Sequence, residues 1–432
     1  MADKNGSGSS RRRSRARLAT TVAALALLAG AGAVRVVESR AAASKPAGNP
    51  AGWTVADPPS GPHALGPNLT TTKEGLLLSW LEPLPQGGKH VTEGKRAHAL
   101  RVSRLRDGRW SPPVTIHSSF DFFANWADFP AVAQAPDGSL TAHWLAKTGK
   151  DTYAYGIFLA RSTDGGATWK PSGLLHADRL PVEHGFVSWI SDRDGLRAFW
   201  LDGRETAKGG PTMLRTGLAG KTGTEKVLDP SVCDCCQTDA AMTTDGPVVV
   251  FRDRLDKELR DISVVRRTAS GWSQPALVHK DGWQIPGCPV NGPAVAASGR
   301  RVAVAWFTAA PSAGQQVKVA FSEDGGQRFG RPVVIDGEQP LGRVDLQLDG
   351  SGSALVTWMA AGENGSAVRI RRVGPKGAAG APVTLAATSA ARSAGFPRTA
   401  LSGDRLWLTW VEDLPQGPSR VRVGSLPLGS VR

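Results

Sequence analysis

Short apolar runs ending in an aromatic residue recur along the chain. They read LLLSW at 76–80, LTAHW at 140–144, LRAFW at 196–200, VVVF at 248–251, VAVAW at 302–306, ALVTW at 354–358 and LWLTW at 406–410. The aromatic positions Trp80, Trp144, Trp200, Phe251, Trp306, Trp358 and Trp410 are separated by 64, 56, 51, 55, 52 and 52 residues. Such short runs, bounded by Gly and polar residues, read as strands. No 3.6-residue or heptad period is sustained, which argues against long helices and coiled coils. A period near 50 with several strands per unit marks an all-β propeller. Each unit is one sheet that cannot cover its own faces, so neighbouring sheets must cover them.

Every unit follows one plan. A segment marked by Pro or Gly comes first, then a Gly-containing turn, then the aromatic-ending strand and two further strands. Seven units give seven blades, with six as the competing count because the fourth and seventh units are least regular. The seventh, from about Ser393 to Leu428, is one strand short. GWTVAD at 52–57 can supply that strand, which would pair the chain ends and remove an exposed sheet edge. The expected organisation is a leader or anchor at 1–43, a linker and closing strand at 44–61, and the propeller at 62–430.

The turn between the third and fourth strands of unit two reads Ser162-Thr163-Asp164-Gly165-Gly166-Ala167-Thr168-Trp169, and unit five repeats it as Ser322-Glu323-Asp324-Gly325-Gly326-Gln327-Arg328-Phe329. An Asp carboxylate accepts backbone N–H bonds in a tight turn, and Gly supplies positive φ. This pattern resembles the Asp-box (BNR) repeat of sialidase-like β-propellers. The resemblance implies an exo-alpha-sialidase-type glycoside hydrolase acting on acidic glycans, with the boxes as structural turns on the face away from the site. Sialidases use an arginine cluster, a Tyr–Glu nucleophile pair and an acid/base Asp. Here the Arg-Ile-Pro motif is absent. The two tyrosines, Tyr153 and Tyr155, lie in unit two, whereas that family's nucleophile comes late in the chain.

Charge adds a targeting signal. The chain has 432 residues and a formal charge of +14. Residues 1–43 hold eight Lys/Arg against Asp3 and Glu38, and an apolar run at 18–34 follows the arginines. This is the pattern of a secretory signal, with Ala41-Ala42-Ala43 as a cleavage point and an uncleaved membrane anchor as the alternative. The expected location is exported, periplasmic or extracellular. The remaining excess favours anionic partners, acidic glycans among them. No nucleic-acid-binding signature is present.

Propeller geometry places inner-strand starts and second-to-third strand loops on one face. That face collects Asp128, His184, Arg398 and two cysteine patches. The patches are Cys233, Cys235 and Cys236 at the start of unit four and Cys288 at the start of unit five, which adjacent blades should bring together. Two disulfides in an oxidising compartment are one reading: Cys233–Cys288 with a Cys235–Cys236 ring, or Cys288 joined to Cys235 or Cys236. A soft-metal site is another. Thiolates favour Cu(I), so on that reading copper is the guest, with His184 as an added ligand; zinc fits less well because C-x-C-C lacks the usual C-x₂-C spacing. A free-thiol redox role is the third. The segment at 251–262, if extended, places Arg252, Arg254 and Arg260 on one side with Asp256 and Glu258. With Arg204 and Arg398 these arginines could bind an anion, while Asp253 and Glu258 do acid/base work. The competing reading is a solvated salt-bridge ladder, with His184 a hydrogen-bonded structural histidine.

Overall fold

A computed structural model describes residues 50–85, 91–92, 95–362, 365–413, 415 and 417–432. The leader or anchor expected at 1–43 lies outside the described residues. The chain folds into seven antiparallel sheets of four or five strands and one two-stranded ribbon. No α-helix occurs among the described residues. The innermost strands are Leu65–Thr72, Ala131–Gln134, His184–Asp192, Asp239–Thr243, Ala294–Ser298, Pro340–Leu348 and Arg398–Ser402. The aromatic-ending runs are the second strands.

The core is seven separate clusters, each filled by two neighbouring blades, because each sheet buries both faces only against its neighbours. One cluster joins Leu76, Leu78 and Trp80 of blade one to Val411, Val421 and Val423 of blade seven, which closes the ring. Thr54–Val55 pairs antiparallel with Arg420–Pro427, with Thr54 opposite Ser425 and Val55 opposite Gly424, so the N-terminal segment supplies the missing outer strand of blade seven. Trp53 lies over Gly424, where a Cβ would overlap its ring.

Adjacent inner strands are linked by side chains. Asp128 accepts the Phe186 N–H (2.8 Å), Asp239 the Val295 N–H (2.8 Å) and Asp345 the Thr399 N–H (2.5 Å). Gln237 accepts from Gly292 N and donates to Ala127 O. These bonds satisfy backbone donors that the radial splaying of the sheets would leave unpaired.

A second rule governs the Trp positions. On the third strand, Trp80, Trp200, Trp306, Trp358 and Trp410 face Arg101, Arg215, Lys318, Arg369 and Arg422 respectively. In four of these blades a carboxylate accepts the indole N–H: Glu82, Asp202, Asp281 and Asp336, at 2.6–3.0 Å. The cation balances that carboxylate, and the buried indole donor finds its partner. Blade two instead pairs Trp144 with Phe158 and stacks His117 on the indole; blade four pairs Phe251 with Ser263.

The two turns with the shared motif are built alike. Asp164 accepts from Ser162 Oγ, Thr168 N and Thr168 Oγ1, and Asp324 from Ser322 Oγ, Gln327 N and Arg328 N. Gly165, Gly166, Gly325 and Gly326 all have positive φ. Arg104 of blade one donates to Gly165 O at 2.8 Å, so the turn fastens one blade to the next.

Candidate metal centre

Val232 and Cys233 are pinned before the inner strand of blade four starts. Val232 N donates to Thr212 O of blade three, and Cys233 N donates to Arg252 O (3.0 Å). The chain then turns through Asp234-Cys235-Cys236 and re-enters the sheet at Asp239. Cys288 arrives on the loop that opens blade five. Arg252 ties that loop down. Its side chain is 1% exposed, its Nε and Nη2 donate to Asn291 O (2.9 and 2.7 Å), Nη2 also reaches Phe307 O (2.7 Å), and Nη1 reaches Arg260 O (2.6 Å). The guanidinium lies 4.7 Å from the Trp283 ring centroid. Gly292 is required here, because a Cβ would overlap the Gln237 backbone.

The result is a cluster of four cysteines. Cys233 Sγ lies 2.6 Å from Cys236 Sγ and 3.7 Å from Cys235 Sγ. The sulfurs of Cys233, Cys235 and Cys236 all lie within 4.8 Å of one another, and so do the ligand atoms of Asp234, Cys235 and Cys288. The expectation that adjacent blades unite the two cysteine patches is met. Cys233 and Cys236 are buried, Cys235 is half-buried and Cys288 is exposed.

The electrostatics favour one thiolate in the cluster. Burial works against charge at Cys236, but hydrogen bonds from Cys233 and Cys235 and the Arg252 charge hold its thiol well below the usual range. Burial pushes Cys233 up to about 12. Hydrogen bonding to Cys233 and Cys236, then burial, raise Cys235. Arg260 is buried and interacts with Cys233 and Asp234, and its Nη1 has no hydrogen-bond partner. Two guanidiniums therefore flank the sulfurs, as a negatively charged metal–thiolate centre requires in a low dielectric.

The other sequence candidates divide. His184 does not join the sulfurs. Its ring stacks on His176 (centroids 3.9 Å), its Nδ1 meets Val182 O (3.1 Å) and its Nε2 lies 3.0 Å from Asp178 Oδ2. Successive side chains of a strand point to opposite faces, and it is Glu183 that interacts with Cys233 and Asp234. The segment at 251–262 is not extended. The strand ends at Arg252, and Lys257 and Glu258, both at φ 59°, fold the chain back. Arg254 and Arg260 then grip the two oxygens of Glu258 (2.7 and 2.5 Å). Asp253 is buried and accepts from Ser263 Oγ (2.6 Å). Asp256 lies in the intervening 3₁₀ turn. Arg204 forks onto Asp202 (2.7 Å to each oxygen) and reaches Glu225. Arg398 pairs with Asp345 (3.1 Å) and lines a central cavity of about 470 Å³ with Asp128, Trp189, Gln237 and Asp239. The arginines expected to hold an external anion are thus engaged by carboxylates and carbonyls of the chain itself.

One constellation was not expected. Tyr155 Oη donates to Glu183 Oε1 (2.6 Å) and lies 3.3 Å from Asp128 Oδ2. Burial and the two carboxylates raise the Tyr155 hydroxyl well above its ordinary range. Burial, with Asp234 and Cys233 adding to it, raises Glu183 to about 7 against the opposing Tyr155 hydrogen bond. Tyr155 is 1% exposed, so no substrate reaches its oxygen in this conformation. Its early place in the chain concealed the pairing, which spans blades two and three.

No family model and no curated protein matches the chain. Solved structures share its fold. A protein of unknown function from Dyadobacter fermentans is 16% identical, with a TM-score of 0.50 over 89% of this chain and 99% of the other. The polysaccharide lyase Uly1 is 12% identical, with a TM-score of 0.50 over 84% and 90%. The NanB sialidase of Streptococcus pneumoniae is 12% identical, with a TM-score of 0.44 over 85% and 69%.

Proposed function

We propose that the protein is an exported propeller that binds copper(I) through Cys233, Cys235 and Cys236. The observation that carries this reading is the convergence of three sulfurs within 4.8 Å of one another beside Arg252 and Arg260. Soft thiolates select Cu(I). Zinc prefers a closed tetrahedron, whereas this trio offers three donors. A Cu(I) ion on three thiolates carries two net negative charges, which the two flanking guanidiniums offset. Export rests on the arginine-rich, then apolar, segment at 1–43. The reduced protein, titrated anaerobically with Cu(I) against bicinchoninate, is expected to hold about one ion per chain, and the Cys233→Ser/Cys236→Ser double variant to lose it. Failure of the reduced wild type to take up Cu(I), with two intact bridges in the unreduced protein, would replace this reading with the disulfide one.

A second reading is carbohydrate binding in the central cavity, where Arg398, Asp239, Gln237 and Trp189 offer polar and aromatic contacts. The fold neighbours include a polysaccharide lyase. Its catalytic version, an exo-alpha-sialidase on acidic glycans with Asp253 and Glu258 in acid/base roles, must contend with the internal pairing of the arginines. Turnover of a fluorogenic sialoside by the folded protein would establish it.

A further inference from the structure

The thiols form two overlapping donor groups at different depths. The inner group is Cys233, Cys235 and Cys236, two of them buried; the outer group is Asp234, half-buried Cys235 and exposed Cys288. Cys235 belongs to both. Cys288 Sγ lies 3.6 Å from Asp234 Oδ1. The outer group joins the two blades: Cys288 comes from the loop held by Arg252 at Asn291 O, and Asp234 and Cys235 from the turn of blade four.

Resting on the copper reading, we propose that exposed Cys288 is a receiving station, its thiol held by the Asp234 carboxylate at 3.6 Å. Cu(I) would enter there from a thiolate- or nitrogen-bearing carrier and pass to the inner trio by ligand exchange on Cys235. A soft d¹⁰ ion exchanges ligands by adding one before losing another, so a ligand common to both sites keeps the ion bound throughout. In the first step the bond to Cys288 Sγ forms and a bond to the carrier breaks. In the second, the bond to Cys235 Sγ forms as the last bond to the carrier breaks, and a freed carrier thiolate takes its proton from water. In the third, bonds to Cys236 and Cys233 form as the bond to Cys288 breaks. Each thiol that binds gives its proton to water, and Cys288 takes one back on release. Copper stays Cu(I) throughout and no electron moves.

The test is stopped-flow transfer of Cu(I) from its bicinchoninate complex to the reduced full-length protein, followed by the loss of the complex's colour, and the reverse transfer with excess bicinchoninate. Circular dichroism and the melting temperature confirm the fold of each variant. Cys288→Ser is expected to slow transfer in both directions by about tenfold, the scale of effect that loss of a group supporting a metal site has. Asp234→Asn is expected to do the same to a smaller degree. Cys236→Ser is expected to speed release. Loading of Cys288→Ser at the wild-type rate would overturn the station and leave the copper site standing. Rapid release from Cys288→Ser, like that from Cys236→Ser, would overturn it too, by making Cys288 an ordinary ligand of one site. A wild type that takes no Cu(I) would instead sink the copper reading itself.

Discussion

Replacing Arg252 with Met keeps the length and apolar stem of the side chain while removing the guanidinium that joins the two halves of the sulfur cluster. Three carbonyl oxygens, of Arg260, Asn291 and Phe307, lose a charged donor at 2.6–2.9 Å, and Trp283 loses its cation. Each orphaned buried acceptor costs about 1–3 kcal/mol, but the three are not independent. Taken together they cost about 3–5 kcal/mol. With an unfolding entropy of about 2.1 cal/mol/K per residue over a chain of this size, that lowers the melting temperature by roughly 3–6 °C. The same variant removes the charge that favours the Cys236 thiolate, so Cu(I) affinity should fall by about 10–100-fold, as for other residues that support metal ligands. Arg252→Lys separates the effects: the charge returns without the planar fork, so affinity should recover more than stability. The assay is a metal-free thermal melt beside a bicinchoninate competition. An Arg252→Met protein that melts with the wild type and binds Cu(I) equally would refute the argument.

Two further outcomes follow from the geometry. Glu183 is raised from 4.5 to about 7, so the folded state binds the extra proton between these values. Stability should fall as pH rises through that window, and Glu183→Gln should flatten the slope in pH-dependent denaturant melts. Deleting residues 50–57 removes the Thr54–Ser425 and Val55–Gly424 pairing. The edge of blade seven is then bare, and light scattering should show self-association at concentrations where the full chain stays monodisperse.

The propeller was legible because its period is carried by residues that cannot be elsewhere. An aromatic residue on each second strand, Trp in six blades and Phe251 in the fourth, must be buried between blades, and the strand missing from blade seven had one source, at 52–57. The meeting of Cys288 with Cys235 was legible for the same reason, since equivalent positions in adjacent blades are neighbours. The cation opposite five of the six Trp residues carries a signal that period counting does not use. In three blades the acid two residues after the Trp is part of it: Glu82, Asp202 and Glu412. Position alone puts His184 beside the sulfurs, yet strand alternation turns it toward Asp178 and sends Glu183 the other way. In the segment at 251–262 strand alternation stops at Arg252, and positive φ at Lys257 and Glu258, which no apolar–polar pattern encodes, reverses the chain. The Tyr155–Glu183 bond depends on how blades two and three pack, which no local pattern encodes.

X-ray absorption at the copper edge of the Cu(I)-loaded, reduced protein should show a first shell of three sulfur scatterers, as Cys233, Cys235 and Cys236 supply. A shell of nitrogen and oxygen, as His176, Asp178 and His184 would supply, would contradict it.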